Sequence, residues 1–110
     1  MSPFAWLFIG HLTGDFLLQT SWMALNKTSN YLALLSHSII YTLVVATFSL
    51  SFGGLSLHSC ALILISHLAL DKRSIVYWWS KYITKNDDFW LMIIMDQIFH
   101  LLILVLALHI

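Results

Sequence analysis

Four apolar runs, at about residues 3–24, 30–51, 55–71 and 89–109, occupy most of this chain and constrain its fold more than any other feature. A bilayer crossing takes about 20 predominantly apolar residues, so three runs are long enough and the third, at about 17, lies at the lower limit. The breaks between them carry polar and turn-forming residues: NKTSN at 26–30, SFGG at 51–54, and DKRSIVYWWSKYITKNDD at 71–88. Short connections join antiparallel neighbours. The expected fold is therefore all-α, a single bundle of four transmembrane helices spanning residues 1–110. A short interfacial helix is expected between the third and fourth, where aromatics at 74–84 alternate with Lys81 and polar groups.

Composition agrees, because 60% of the residues are hydrophobic and only 9% are charged, against about 25% charged in soluble domains. The net charge is zero with histidine neutral, which provides no basic field and argues against nucleic-acid binding. The lone Cys60 has neither a disulfide partner nor a CxxC motif and reads as a small apolar filler. No Lys or Arg occurs before Lys27, so the first run lacks a signal peptide's basic region and is expected to be a retained span.

Lys27 lies in the first break and Lys72, Arg73, Lys81 and Lys85 lie in the third. The positive-inside rule places both breaks in the cytoplasm and both chain ends outside. Trp22, Trp78, Trp79 and Trp90 flank the same two breaks, as an aromatic belt does. The expected location is a prokaryotic inner membrane, although a thylakoid membrane has the same hydropathy signature. The lipid bilayer is the expected partner, together with other membrane subunits or a second copy of the chain.

Ionisable groups inside hydrocarbon are costly, and those that occur face a bundle interior. Three runs carry a His and an Asp four residues apart, namely His11 with Asp15, His67 with Asp71, and Asp96 with His100. The remaining run carries His37 with Tyr41 at the same spacing, which puts each pair on one helix face. Counting about 1.5 Å per residue from the cytoplasmic ends, Asp15, Gln19, His37, Asp96 and His100 fall about 10–18 Å deep. His67 falls at about 6 Å, Asp71 near the surface and His11 at about 24 Å, as the floor of a site.

Imidazole and carboxylate together suit a divalent metal such as zinc. The candidate ligands are His11, Asp15, His37, His67, Asp71, Asp96 and His100, with Gln19 and Gln97 orienting them. If the centre is catalytic, activated water is the economical nucleophile and Asp15 or Asp96 the base, since no Gly-x-Ser-x-Gly elbow is present. That chemistry suits hydrolysis of a membrane-associated ester. The same groups also suit a hydrogen-bonded polar core, a proton or ion relay, or a non-enzymatic accessory subunit that holds packing or a pigment. His58 and His109 read as ordinary interfacial residues.

The motifs GHLTGDFLLQ, LLSHSIIY, ISHLALDKRS and MDQIFHLLIL, in this order, resemble a family of small prokaryotic and phage membrane proteins of unknown function. That family's pattern is HxxGDFxLQ, a histidine in the second helix, HxxxDxxK, then DQxxH. It falls on His11, Gly14, Asp15, Phe16, Leu18 and Gln19, on His37, on His67 and Asp71, and on Asp96, Gln97 and His100. One position departs, because Ser74 stands where the pattern has lysine, with Lys72 and Arg73 just before it. The resemblance implies that these residues form one group; it implies no reaction.

Overall fold

Side-chain oxygens at the helix starts mark out the architecture. Ser2, Thr20, Asn30, Ser56 and Asp88 each accept a hydrogen bond from a backbone N–H two or three residues on, satisfying donors that a helix leaves free at its first turn. The computed structural model describes residues 1–110 as six α-helices with no strand. Helix α1 is Pro3–Leu12 and continues into a π-turn, Thr13–Leu17; α2 is Ser21–Asn26 and α3 Tyr31–Ser49, the last tightening into a 3-10 turn, Leu50–Phe52. Gly53 and Gly54 follow with φ of 109° and 91°, the left-handed region that lets the chain reverse without a Cβ clash. Helix α4 is Leu57–Asp71, α5 Ser74–Tyr82 and α6 Phe89–Ala107.

The structure divides the first apolar run, expected as one helix over 3–24. Leu18 N–H reaches back five residues to Thr13 O at 3.0 Å, and the helical ladder then stops until Thr20 caps α2. Helix α4 has 15 residues, about 22 Å at 1.5 Å per residue, which is short of a hydrocarbon core of about 30 Å. Two helices, Tyr31–Phe52 and Phe89–Ala107, are long and apolar enough to cross a membrane by length and composition. The four spans expected from hydropathy thus reduce to two that qualify on their own. The short helix expected between the third and fourth runs is present as α5, with Tyr77, Trp78 and Tyr82 turned outward.

Helix α3 lies at the centre, packed against α1, α2 and α4, while α6 closes the bundle against α1 and α4. Gly10 and Gly14, four residues apart, let α1 and its π-turn lie close on α3. A Cβ on Gly14 would stand 2.9 Å from Tyr41 Cδ2 and 3.3 Å from Tyr41 Cα. Small residues at this spacing are a common means of close helix approach in membrane proteins.

Lys72 Nζ lies 3.4 Å from Tyr31 OH and Lys27 Nζ 3.0 Å from Asp71, so the two basic connections adjoin at one end. At the other end Ser59 Oγ donates to Ala107 O, and α1 meets the 3-10 turn after α3. An apolar cluster of Leu7, Tyr41, Val45, Ile63, Leu104 and Ala107 fills the interior there. Toward the basic end the interior turns polar, and 12 of the 25 buried residues in the whole chain are polar or charged. Large apolar side chains such as Leu17, Leu25, Leu57 and Trp90 stand on the outside instead.

Candidate metal centre

The π-turn swings Asp15 off the regular helical path and buries its carboxylate between α3 and α4. Asp15 Oδ1 lies 3.1 Å from Nε2 of His37 and 3.1 Å from Nε2 of His67. From the end of α4, Asp71 Oδ2 lies 3.0 Å from the same His37 nitrogen and 3.7 Å from that of His67. These four residues, each buried, offer ligand atoms that all lie within 4.8 Å of one another. Zinc bonds nitrogen and oxygen at about 2.0–2.2 Å, so tetrahedral ligand atoms stand about 3.3–3.6 Å apart. The observed separations bracket that spacing. Two imidazoles and two carboxylates form a donor set able to hold a metal ion.

Neighbouring groups orient the rings. Ser38 Oγ is hydrogen-bonded to His67 Nδ1 at 3.0 Å, and Tyr41 stacks on the His67 ring with centroids 4.0 Å apart. His67 Nε2 is thereby aimed at the carboxylates. Lys27, although its residue lies in the first connection, is only 6% exposed. Its Nζ donates to Asp71 Oδ2 and to Gln19 Oε1, both at 3.0 Å. Gln19 in turn donates to Asp15 O, which ties the π-turn to the centre.

Asp71 also faces α6. Its Oδ1 lies 3.0 Å from His100 Nε2, and Asp71, Asp96 and His100 form a second group whose ligand atoms fall within 4.8 Å. His100 Nδ1 donates to Asp96 O at 2.7 Å. Asp71 Oδ1, Asp96 Oδ1, His100 Nε2 and His37 Nδ1 are buried without a hydrogen-bond partner, a costly state for polar atoms.

The sequence-predicted residues therefore converge, with differences of place. Asp15, His37, His67 and Asp71 make the first group, and Asp96 with His100 joins it through Asp71. Asp71, reckoned near the membrane surface, is 1% exposed within the protein and touches both groups. His11, expected among the ligands, has both nitrogens engaged instead: Nε2 donates to Gln97 Oε1 and Nδ1 accepts from Tyr41 OH, each at 2.7 Å. It stands beside the centre, 3.8 Å from Asp15 Oδ2. Gln97 also donates weakly to Asp96 Oδ2 at 3.4 Å. Reading along the sequence missed Lys27 as part of the site. Its one available signal was that it is the only cation among the first 71 residues.

No curated protein and no solved structure matches this chain. A family sequence model described as "Protein of unknown function (DUF3307)" matches residues 4–110, which include every residue of both groups. The chain belongs to the DUF3307 family.

Proposed function

We propose that this protein is an integral membrane protein whose His/Asp centre binds a divalent metal such as zinc and hydrolyses a membrane-associated ester. The observation that carries the metal reading is the set of four buried ligand atoms from Asp15, His37, His67 and Asp71 at metal-ligand spacing. Charge supports it. Three buried carboxylates, Asp15, Asp71 and Asp96, face one buried ammonium, Lys27, leaving two negative charges with neutral imidazoles. One divalent cation balances them and avoids the cost of uncompensated buried charge, a balance that two imidazolium protons supply in its absence.

A divalent ion there supplies Lewis acidity and an activated water at neutral pH. The chain's own groups manage the proton. Asp15 Oδ2, the oxygen not in contact with His37 or His67, and Asp96 Oδ1, free of hydrogen bonds, are the carboxylates placed to accept it. As the ester C–O or P–O bond breaks, the same carboxylate returns the proton to the leaving oxygen. A polar cavity of about 190 Å³, lined by Lys27, Thr28, Asn30, Tyr31, Lys72 and Ser74, opens beside the centre. Lys27 is shared between them. Two ammonium groups among hydroxyls suit a phosphate-bearing headgroup.

The bilayer reading rests on an apolar exterior around a polar interior and on a Cα extent of 40 Å along the longest axis, against about 40–45 Å for a bilayer with headgroups. In this reading α1 with its π-turn and the short α4 complete the bundle beside α3 and α6. The basic connections face the cytoplasm of a prokaryotic inner membrane, and both termini face away from it.

A second reading, a non-enzymatic subunit of a larger membrane assembly, draws on α6, whose apolar window is only 17% buried within the protein. Co-purification of stoichiometric partner subunits with a colourless, metal-free protein would favour it.

Elemental analysis of protein purified in mild detergent tests the metal reading. We expect bound divalent metal in the native chain and its loss in His37→Ala and Asp15→Ala variants that keep a helical circular dichroism spectrum. Folded, pure, native protein that takes up no metal even after divalent ions are supplied overturns the proposal.

A further inference from the structure

We infer that a second divalent cation binds between Asp71, Asp96 and His100, so that Asp71 bridges two metal ions and the paired centre takes an anionic phosphate ester as substrate. This rests on the first group being a metal site.

The geometry around His100 carries the argument. A carbonyl oxygen can only accept, so the 2.7 Å contact to Asp96 O fixes the proton on His100 Nδ1. In the neutral ring, Nε2 then carries a lone pair. That nitrogen stands 3.0 Å from Asp71 Oδ1, another lone-pair atom. Two such atoms repel at this distance unless a proton on the ring or a metal ion relieves the contact. The contact is out of hydrogen-bonding alignment, so neither atom has a partner, which favours a metal ion over a proton at this point. Asp96 Oδ1 is the third orphan of the same group. The three residues are 1–4% exposed, so water does not serve these atoms from outside. All three ligand types, one imidazole nitrogen and two carboxylate oxygens, suit a hard or borderline divalent ion.

Asp71 is the hinge between the groups. Oδ2 faces His37 and His67, Oδ1 faces His100, and one carboxylate can thus join two ions at the separation of about 3.5–4 Å found in two-metal hydrolytic sites. Charge then indicates the substrate. One divalent ion neutralises the buried set, and a second leaves a surplus of two positive charges. Arg73, which lines one narrow cavity with Asp96 and whose buried Nε has no partner, adds to that surplus. A phosphate group, or a hydroxide together with a phosphodiester, offsets the surplus of the two ions, and Arg73 adds attraction for the same anion. With Asp96 Oδ1 directed at the second ion, Asp15 Oδ2 is left as the proton acceptor.

Detergent-purified protein is stripped with a chelator and titrated with Mn²⁺ in the presence of inorganic phosphate, with bound metal counted and electron paramagnetic resonance recorded. The native chain should take two ions that are magnetically coupled. His100→Gln and Asp96→Asn should each take one ion, with an uncoupled spectrum, which also reports that the first centre remains folded. A native chain that saturates at one ion, or variants that still bind two, overturns the second site while leaving the first standing. Failure of the native chain to bind any Mn²⁺, Zn²⁺ or Fe²⁺ overturns both.

Discussion

Ser38 Oγ, 3.0 Å from His67 Nδ1, is one small hydroxyl that determines which nitrogen of the ring faces the carboxylates. Removing such an orienting partner typically weakens metal affinity about 10–100-fold, while a single hydrogen bond contributes only about 1 kcal/mol to stability. Ser38→Ala should therefore lose affinity within that range, measured by competition with a chromophoric chelator, and unfold at nearly the native temperature. Unchanged affinity would show that Tyr41 stacking alone orients the ring. At this scale the i,i+4 pairs on the helices were readable, because a shared face follows from helical periodicity. Lys27 was not, since it meets Asp71 across 44 positions and a lysine within NKTSN has the local character of a loop residue. The spacing also did not separate His11 from the other histidines. Only the positions of Tyr41 and Gln97, on two other helices, show that both its nitrogens are occupied.

At the scale of elements, the π-turn Thr13–Leu17 carries Asp15 into the interior and ends the first helical run. One residue of added length per turn shifts the faces that follow, so Asp15 enters the interior while Phe16 and Leu17 remain outside. Turns of this kind occur often at functional sites. Hydropathy could not reveal it, because TGDFLLQ has the same average whether the ladder runs i to i−4 or i to i−5. Gly14, within the same turn, is where another helix comes close, and that helix is α3. Gly14→Ala puts a methyl 3.3 Å from Tyr41 Cα, backbone that cannot rotate away, as well as 2.9 Å from the Tyr41 ring. Overpacking of this degree costs about 1–3 kcal/mol. The variant should melt at a lower temperature in detergent. Because Tyr41 backs His67, it should also bind metal more weakly, and a variant with native melting and native affinity would show that α1 and α3 have room to separate.

At the scale of the whole molecule the polarity of a soluble domain is reversed. Leu17, Leu25, Leu57 and Trp90 are each more than 70% exposed, while five histidine- and aspartate-bearing positions on the bundle axis, His11, His37, His67, Asp71 and His100, are 3% exposed or less. In water that arrangement would forfeit apolar burial worth about 25 cal/mol per Å² and still carry the desolvation of every interior charge. In a bilayer the first cost disappears, and the second is met by pairing inside the bundle. That the two basic connections lie at one end was legible from five basic residues alone, and contact of Lys72 with Tyr31 and of Lys27 with Asp71 brings them together. The lengths of the outer helices were less legible, since capping and the π-turn, rather than average hydropathy, set where α1 and α4 stop. In a Cys60→Ser background, single replacements Thr28→Cys, Thr84→Cys and Ile110→Cys each place a thiol at an exposed position. A membrane-impermeant maleimide applied to spheroplasts should label position 110 and spare 28 and 84 until the membrane is opened, and the protein should resist extraction by alkaline carbonate. Labelling of all three in intact spheroplasts, or release by carbonate, would mean that the apolar exterior is covered by something other than lipid. Labelling of 28 and 84 from opposite sides would instead separate two connections that the centre needs together, because Lys27 and Asp71 could then no longer share one charge balance.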